Sequence, residues 1–255
     1  MSANVQIFSH SIPEISYIAR TSTKGDEIDM VNLYIKYLVE KYSGLKTKHI
    51  AIFLEPQIDT GYPDIVIVEY WGQVKSEWNS SRSNLSFADL KILFQITQQR
   101  NVSIDSLSIL LGFSNADIQK SFLRLSESNL IHLSKSKHHA RNIPIRSFSN
   151  IKKIISIEAK IDKWTEAIHQ ASKNTWFSTE SFVLLNKEKC SESIIKKCEE
   201  HGVGIILVNG RIQTILKSEL RNYPISYTSL LFNEWIHRAN YLEEMNDNSR
   251  VEGQI

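Results

Sequence analysis

The sequence predicts an α/β fold in which a mixed sheet flanked by helices is interrupted by an inserted helical domain. Three observations lead to this prediction. Residues 1–78 contain helical and strand-like patterns, residues 79–150 contain three successive helical patterns, and a strand–helix–strand–helix–strand series follows from residue 151. Such a series is typical of parallel strands joined by crossover helices. We therefore expect a core formed by residues 1–78 and 151–255, split by an insert at 79–150.

Composition limits the classes of protein that fit this chain. A length of 255 residues and a hydrophobic content of 42% suffice for a substantial core. No apolar run approaches the roughly 20 residues that span a bilayer, and the first residues lack the basic start and apolar stretch of a secretory signal. Cys190 and Cys198 are too few for a disulfide framework and wrongly spaced for a zinc knuckle. We expect a cytoplasmic protein with reduced thiols and no membrane partner.

The first part of the core contains one helix and two strands. Apolar residues recur at helical spacing between Asp26 and Tyr42, and Gly44 ends the pattern. The apolar run 50–54 predicts a buried strand. Asp64 opens the β-branched run 65–68, which is typical of a central strand. The two strands are close enough in sequence to be antiparallel neighbours.

The insert begins after a polar boundary, Ser76–Ser86, and is mainly helical. Ser103 and Ser114 are expected to cap the second and third of its helices. A short apolar strand, 130–133, and a basic stretch, 135–141, follow the third helix. The three predicted helices span Phe87–Gln99, Ile104–Leu111 and Asn115–Ser128.

Charge is concentrated in this insert. Between Asn79 and Asn150 there are nine lysine and arginine residues and four acidic residues, a local charge of +5, whereas the remainder of the chain carries −3. A basic segment within a slightly acidic chain is typical of a localised phosphate-binding module.

The second part of the core returns to the α/β pattern. Strands are predicted at 154–160, 182–185, 204–208 and, after an Asn-Gly turn, 212–216. Amphipathic patterns predict helices at Asp162–Ser172 and Ser191–His201, and the tail Ser226–Met245 is expected to be helical, with frayed last residues.

Three polar residues of the core form a candidate metal centre. Asp64 starts one strand, whereas Glu158 and Lys160 lie two residues apart on another strand and therefore on the same face. A metal-dependent phosphodiesterase needs oxygen ligands for Mg²⁺ and a cation that positions the attacking water. If the strands are neighbours, both carboxylates converge on a metal with the ammonium group alongside. The main-chain carbonyl of Ala159 can supply a further ligand.

At these residues the chain resembles the PD-(D/E)xK, or restriction-endonuclease-like, nuclease superfamily. The matching segments are Gly-Tyr-Pro-Asp at 61–64 before a β-branched strand, Glu-Ala-Lys at 158–160 after an apolar strand, and Gln170 on the next helix. The resemblance implies a restriction-endonuclease-like mixed sheet. It also implies that Asp64 and Glu158 bind Mg²⁺ or Mn²⁺.

The same resemblance assigns three further roles. Lys160 would serve the attacking water, Gln170 would lie beside the site as a catalytic residue, and Glu27 occupies the place on the first helix where many members carry an extra acidic metal ligand. The family places its two motifs close together on a hairpin, whereas Asp64 and Glu158 are 94 residues apart here. An insert at the hairpin tip accounts for this distance, because a long excursion adds little closure entropy.

The insert resembles winged helix-turn-helix domains through its short helix, the turn at 112–114 and the helix that follows. The resemblance implies a recognition helix in the DNA major groove and a basic wing on the phosphate backbone. The recognition-helix candidates are Asn115, Gln119, Lys120 and Arg124, and the wing candidates are Lys135, Lys137 and Arg141. The alternative is a protein–protein module, as many winged helices are.

Together these features predict a Mg²⁺-dependent DNA endonuclease that a winged helix positions on duplex DNA, in restriction or anti-phage defence. A double-strand cut requires two cores, so a homodimer or a partner protein subunit is expected. Two alternatives stay open: a non-catalytic DNA-binding or adaptor protein on a nuclease-like scaffold, and an RNA-directed nuclease.

Overall fold

The structure is a computed structural model that describes residues 5–20, 25–45, 47–72, 79–223 and 225–252, with side chains to residue 245. The chain divides into two compact units, residues 1–72 with 151–224 and residues 73–150 with 225–255. Within the described residues no helix is both long and apolar enough to cross a membrane.

The described residues form ten strands and eight α-helices in these two units. The strands are β1 (Val5–Phe8), β2 (His49–Leu54), β3 (Ile65–Tyr70), β4 (Asn101–Ser103), β5 (Ile131–Leu133), β6 (His139–Asn142), β7 (Ile151–Lys160), β8 (Glu180–Leu185), β9 (Gly204–Asn209) and β10 (Arg211–Leu216). The helices are α1 (Asp26–Ser43), α2 (Ser80–Ser83), α3 (Phe87–Gln99), α4 (Ile104–Leu111), α5 (Asn115–Glu127), α6 (Trp164–Lys173), α7 (Glu192–Glu200) and α8 (Tyr227–Glu252).

The first unit is built on a seven-stranded mixed sheet with the order β1-β2-β3-β7-β8-β9-β10. Strands β2, β3 and β7 are antiparallel neighbours, strands β7, β8 and β9 are parallel, and β9 and β10 form a hairpin. The predicted α/β class is therefore confirmed. The predicted pairing of the Asp64 strand with the Glu158 strand is also confirmed, because β3 and β7 pair directly with Ile65 opposite Ile157.

Alternation along the strands divides the sheet between two helical layers. Ile157 and Ala159 pack in a cluster with α1, as do Ile65 and Ile67 of β3. On the opposite face of the sheet, Val183 and the other buried apolar residues of β8 and β9 pack against α6 and α7. Because side chains alternate between faces, the even-numbered residues of β7 point to the α6 side of the sheet. This alternation places the candidate residues Asp64, Glu158 and Lys160 on one face.

Within the described residues the second unit contains the helices α2 to α5 and α8 and a small antiparallel sheet of order β4-β6-β5. Helices α3 and α4 have the predicted bounds, and α5 ends one residue earlier than predicted. Ser103 caps α4 in a reciprocal capping box with Ser106, and the Ser114 hydroxyl accepts a hydrogen bond from the Asp117 amide, as predicted. Strand β4 was not predicted, because its three residues between two helices are too few to show the apolar–polar alternation of a strand.

Two features of this unit differ from the sequence prediction. The polar boundary 76–86 was expected to be irregular, yet its described part contains α2, whose first turn is capped by the Asn79 side chain. The C-terminal helix was expected to belong with residues 151–224, whereas its contacts group it with the insert.

A buried ion pair holds α8 in the second unit. The Arg82 guanidinium on α2 donates hydrogen bonds to the Glu234 carboxylate on α8 at 2.7 Å, 3.0 Å and 3.3 Å, and one to the Phe148 carbonyl at 2.9 Å. Burial alone would raise the pKa of Glu234, but the charge and hydrogen bonds of Arg82 outweigh it and lower that pKa. One arginine therefore joins the start of the insert, its end and the C-terminal helix.

Candidate active site

The three candidate residues meet at one end of the β3–β7 pair. Asp64 immediately precedes β3, and Glu158 and Lys160 are in the last three residues of β7. Since Ile65 pairs with Ile157 in an antiparallel register, the next position places Asp64 opposite Glu158. The structure therefore brings these residues together, as the sequence predicts.

The two carboxylates are buried and adjacent. Asp64 is 8% exposed and Glu158 is 4% exposed. The Ala159 amide donates a hydrogen bond to Asp64 Oδ2 at 2.7 Å. In an extended strand the carbonyl of a residue leaves on the same edge as its amide, so the Ala159 carbonyl is also directed to the Asp64 side.

Burial and mutual repulsion keep this carboxyl pair from ionising fully. Burial, the negative charge of Asp64 and a hydrogen bond with it raise the pKa of Glu158 to about 9 from an ordinary value of 4.5. Burial also raises the pKa of Asp64, against the opposing effects of Lys160 and of the Ala159 amide. At neutral pH the protein alone therefore keeps the Glu158 carboxyl protonated.

Lys160 lies beside the pair as a charged donor. Its Nζ is 2.8 Å from Glu27 Oε1 and 3.8 Å from Asp64 Oδ2. Burial opposes the charge, but Asp64 and the hydrogen bond to Glu27 outweigh it and raise the pKa of Lys160. Lys160 is therefore protonated at neutral pH and suited to donating hydrogen bonds rather than to accepting a proton.

Glu27 contacts the site through Lys160. It is the second residue of α1, and its side chain is 44% exposed. The sequence predicts Glu27 as a metal ligand, and in the structure its carboxylate accepts a hydrogen bond from the Lys160 ammonium.

Asn174 is a site residue that the sequence analysis missed. Its Nδ2 donates a hydrogen bond of 2.6 Å to Glu158 Oε1, and the residue is 6% exposed. Asn174 follows α6 and starts a one-turn helix, where the Ser178 hydroxyl donates a hydrogen bond to its carbonyl. Asn174 lies four residues after Gln170 and therefore on the same helical face. This spacing could have identified it from the sequence.

Gln170, the predicted catalytic glutamine, makes no described hydrogen bond with the carboxyl pair. Its Oε1 is buried and has no hydrogen-bond partner within the described part of the chain. A buried amide oxygen of this kind is costly, since most such groups are paired. Asn174, one turn further along, is the residue of this region that donates a hydrogen bond to Glu158.

The donor set fits a hard divalent cation. Asp64, Glu158 and the Ala159 carbonyl offer only oxygen ligands, which Mg²⁺ and Mn²⁺ prefer. A cation between the carboxylates would relieve the repulsion that raises both pKa values. Within the described residues no cluster of three or more histidine, cysteine or acidic side chains is suited to holding a metal. A metal here would therefore depend on two carboxylates and main-chain or solvent oxygens.

The predicted DNA-binding residues of the second unit have different surroundings. Five of them are exposed and without a described ion pair: Gln119, Lys120, Lys135, Lys137 and Arg141. Asn115 is also exposed and donates a hydrogen bond to Asp105 Oδ1 at 2.9 Å.

Arg124 contacts another helix. Its guanidinium donates hydrogen bonds of 2.7 Å and 3.0 Å to the buried Asp89 carboxylate on α3. Burial opposes ionisation of Asp89, but the hydrogen bonds from Arg124 and from two serines lower its pKa. The side chain of Arg124 is 38% exposed and joins α5 to α3.

The raised pKa of Glu158 makes the metal-free protein less stable at alkaline pH. The stability contribution of this carboxyl is complete below its ordinary pKa of 4.5 and is lost as the pH rises towards the folded value of about 9. The Glu158→Gln variant cannot ionise and keeps a polar group for Asn174. In chelator we expect it to melt close to the wild type at pH 5 and about 2 °C or more above it at pH 8.

Thermal unfolding followed by circular dichroism checks this expectation. Glu166→Gln is the matched control for the loss of a carboxylate, because Glu166 is half exposed on α6. A Glu158→Gln difference that shrinks from pH 5 to pH 8 would contradict the raised pKa.

Comparison with known proteins finds no relative of this chain. The chain matches no family model, no curated protein and no solved structure. The interpretation of the site therefore depends on its own residues and their geometry.

Proposed function

We propose that the protein is a metal-dependent endonuclease that hydrolyses phosphodiester bonds in DNA. The observation that carries the proposal is the buried Asp64–Glu158 pair on two neighbouring strands, with the charged Lys160 beside it. A buried pair of like-charged groups costs stability, and groups whose pKa values are shifted in this way are concentrated at functional sites. The residue types and their strand positions also resemble those expected of a restriction-endonuclease-like site, which supports the proposal.

Asp64, Glu158 and the Ala159 carbonyl would hold Mg²⁺ or Mn²⁺. When bound, the cation supplies charge stabilisation for the phosphoryl oxygens and lowers the pKa of the attacking water. Asp64 is pre-positioned by the Ala159 amide, and Glu158 by the Asn174 amide, so neither carboxylate has to reorganise its position.

Lys160 would act on the substrate through its charge. Its ammonium lies close to Asp64 and can donate a hydrogen bond to the attacking water or to a non-bridging phosphate oxygen. Glu27 holds the lysine at this edge by accepting a hydrogen bond from its ammonium group. Because the lysine stays protonated, the proton of the water passes to solvent or to a phosphate oxygen rather than to Lys160.

The second unit would place the DNA. Its helices α3 to α5 with the β5–β6 hairpin have the element order of a winged helix, and the exposed Gln119 and Lys120 lie on the helix that would enter the major groove. Lys135, Lys137 and Arg141 are exposed on the hairpin, where they would contact phosphates. This assignment is consistent with restriction or anti-phage defence, and a second core from another copy or a partner subunit would be needed for a double-strand cut.

The cleavage prediction uses plasmid, linear duplex and RNA, each with Mg²⁺, Mn²⁺ or chelator. We expect metal-dependent cutting of DNA, lowered about a hundredfold or more by Asp64→Ala, Glu158→Ala or Lys160→Ala. Duplex binding in chelator should stay unchanged, because the three residues lie outside the second unit. Glu166→Ala serves as the control for loss of an exposed carboxylate.

Each substrate arm has its own consequence. Undiminished Mg²⁺-dependent cutting by Glu158→Ala would refute the assignment of the site. Metal-dependent cutting of RNA alone would replace the DNA substrate by RNA. Duplex binding without cutting of any substrate would favour a non-catalytic DNA-binding protein.

The DNA-placing role of the second unit predicts a change in salt dependence. Replacing Lys120, Lys135 and Lys137 together by glutamine removes three phosphate contacts, so the slope of log affinity against log salt should fall by about 2.7. Fluorescence anisotropy with a labelled duplex measures the slope. Lys196 and Lys197, exposed on α7, are the matched controls. An unchanged slope would show that this surface does not contact DNA.

A further inference from the structure

A second basic surface lies at the other end of the first unit's sheet. It contains an exposed tryptophan with one lysine over its ring and three further lysines that are linked to it through Glu69 and Lys153. We call it the lysine–tryptophan cluster: Lys41, Lys48, Lys152, Lys153 and Trp71. Trp71 follows β3, and Lys152 and Lys153 lie near the start of β7. From Lys152 to Lys160 the strand runs for about 26 Å, so the cluster is separate from the candidate active site.

The lysines of this cluster outnumber the acids that contact them. Glu69 is shared by Lys48 Nζ at 3.5 Å and Lys152 Nζ at 4.0 Å, and Lys153 pairs with Glu180. Lys41 lies over the ring of Tyr42, at 5.5 Å from its centroid. Among the described residues, these four ammonium groups thus share two carboxylates, which leaves an excess positive charge available to an anion.

The positive excess is also reflected in the pKa of Lys153. Burial lowers that pKa, and the neighbouring Lys48 and Lys41 lower it further, against the effect of Glu69. Added negative charge at this place would therefore be favourable.

Trp71 is held in an outward position. The residue is 60% exposed, and Lys152 Nζ lies 3.6 Å from the ring centroid. The backbone on both sides is fixed, because Tyr70 is buried and Gly72 lies against the His49 ring. A Cβ on Gly72 would come within 1.8 Å of His49 Nε2, so no larger residue fits there without displacing the ring. A tryptophan side chain that is exposed to solvent presents apolar ring surface that a ligand can cover.

We propose that the lysine–tryptophan cluster binds single-stranded nucleic acid, with a base stacked on the exposed indole of Trp71 and flanking phosphates on Lys41 and Lys48. An exposed aromatic ring among cations is the combination that such strands use, since every base has a stacking face and every nucleotide a phosphate. A duplex fits less well, because its bases are already stacked. This proposal does not depend on the nuclease assignment.

Binding of labelled oligonucleotides to the full chain in chelator tests the proposal without cleavage. Fluorescence anisotropy is measured with ten-residue oligothymidylate and oligouridylate. We expect Trp71→Leu to weaken binding about 5- to 100-fold, as for the loss of one stacked base, and Trp71→Phe to keep most of the affinity. Lys41→Gln with Lys48→Gln should lower the salt slope by about 1.4. Lys196→Gln with Lys197→Gln, on α7, should leave the slope unchanged.

Several outcomes separate the proposal from a purely structural role for Trp71. Thermal melting of each variant monitors folding, and the paired lysine variant provides a second measurement that does not alter the tryptophan. Binding of either oligonucleotide with the expected losses supports the proposal, and a preference between them identifies DNA or RNA as the source of the strand. Equal affinity of Trp71→Leu and the wild type, or an unchanged slope in the lysine variant, would overturn it.

Discussion

The candidate active site depends on one pairing, that of β3 with β7. The antiparallel register that places Ile65 opposite Ile157 also places Asp64 opposite Glu158, although 94 residues separate them along the chain. A shift of one residue would move one of the two carboxylates to the α1 face of the sheet. Apolar residues on both faces of the sheet fix this register. Their packing therefore also determines the distance between the Asp64 and Glu158 carboxyl groups. The ordinary hydrophobic core therefore holds two carboxyl groups together that would repel each other if both ionised.

The protein tolerates this repulsion by keeping a proton on Glu158 and by surrounding the pair with donors. The Ala159 amide, the Asn174 amide and the Lys160 ammonium each contact or approach one carboxyl group. These groups reduce the cost of burial, but they leave the pKa of Glu158 at about 9. A structural site would gain stability from an apolar pair of similar size. Because the buried carboxyl pair costs stability, its presence supports the proposed metal-dependent activity.

The sequence predicted the parts of the fold that repeat with a regular period. The bounds of α3 and α4 and the parallel series β7-β8-β9 follow from periodicity, turn residues and strand alternation. The convergence of Asp64 with Glu158 was expected from the resemblance to the PD-(D/E)xK nucleases, on the condition that their two strands are neighbours. The parts that were missed depend on contacts distant in sequence. Arg82 looked like part of a polar linker because its partner, Glu234, lies 152 residues away. Asn174 has no periodic signal of its own beyond its spacing from Gln170, and only the folded chain shows which of the two contacts Glu158.

The central claim is that the Asp64–Glu158 pair takes up a divalent cation in exchange for a proton. Calorimetric titration with Mn²⁺ at pH 7, in two buffers of different ionisation enthalpy, measures that exchange directly. Because Glu158 is protonated in the protein alone, binding should release about one proton per metal ion, and Glu158→Gln should lose both the release and most of the affinity. Mn²⁺ binding with no proton release, or binding that survives unchanged in Glu158→Gln, would contradict the account.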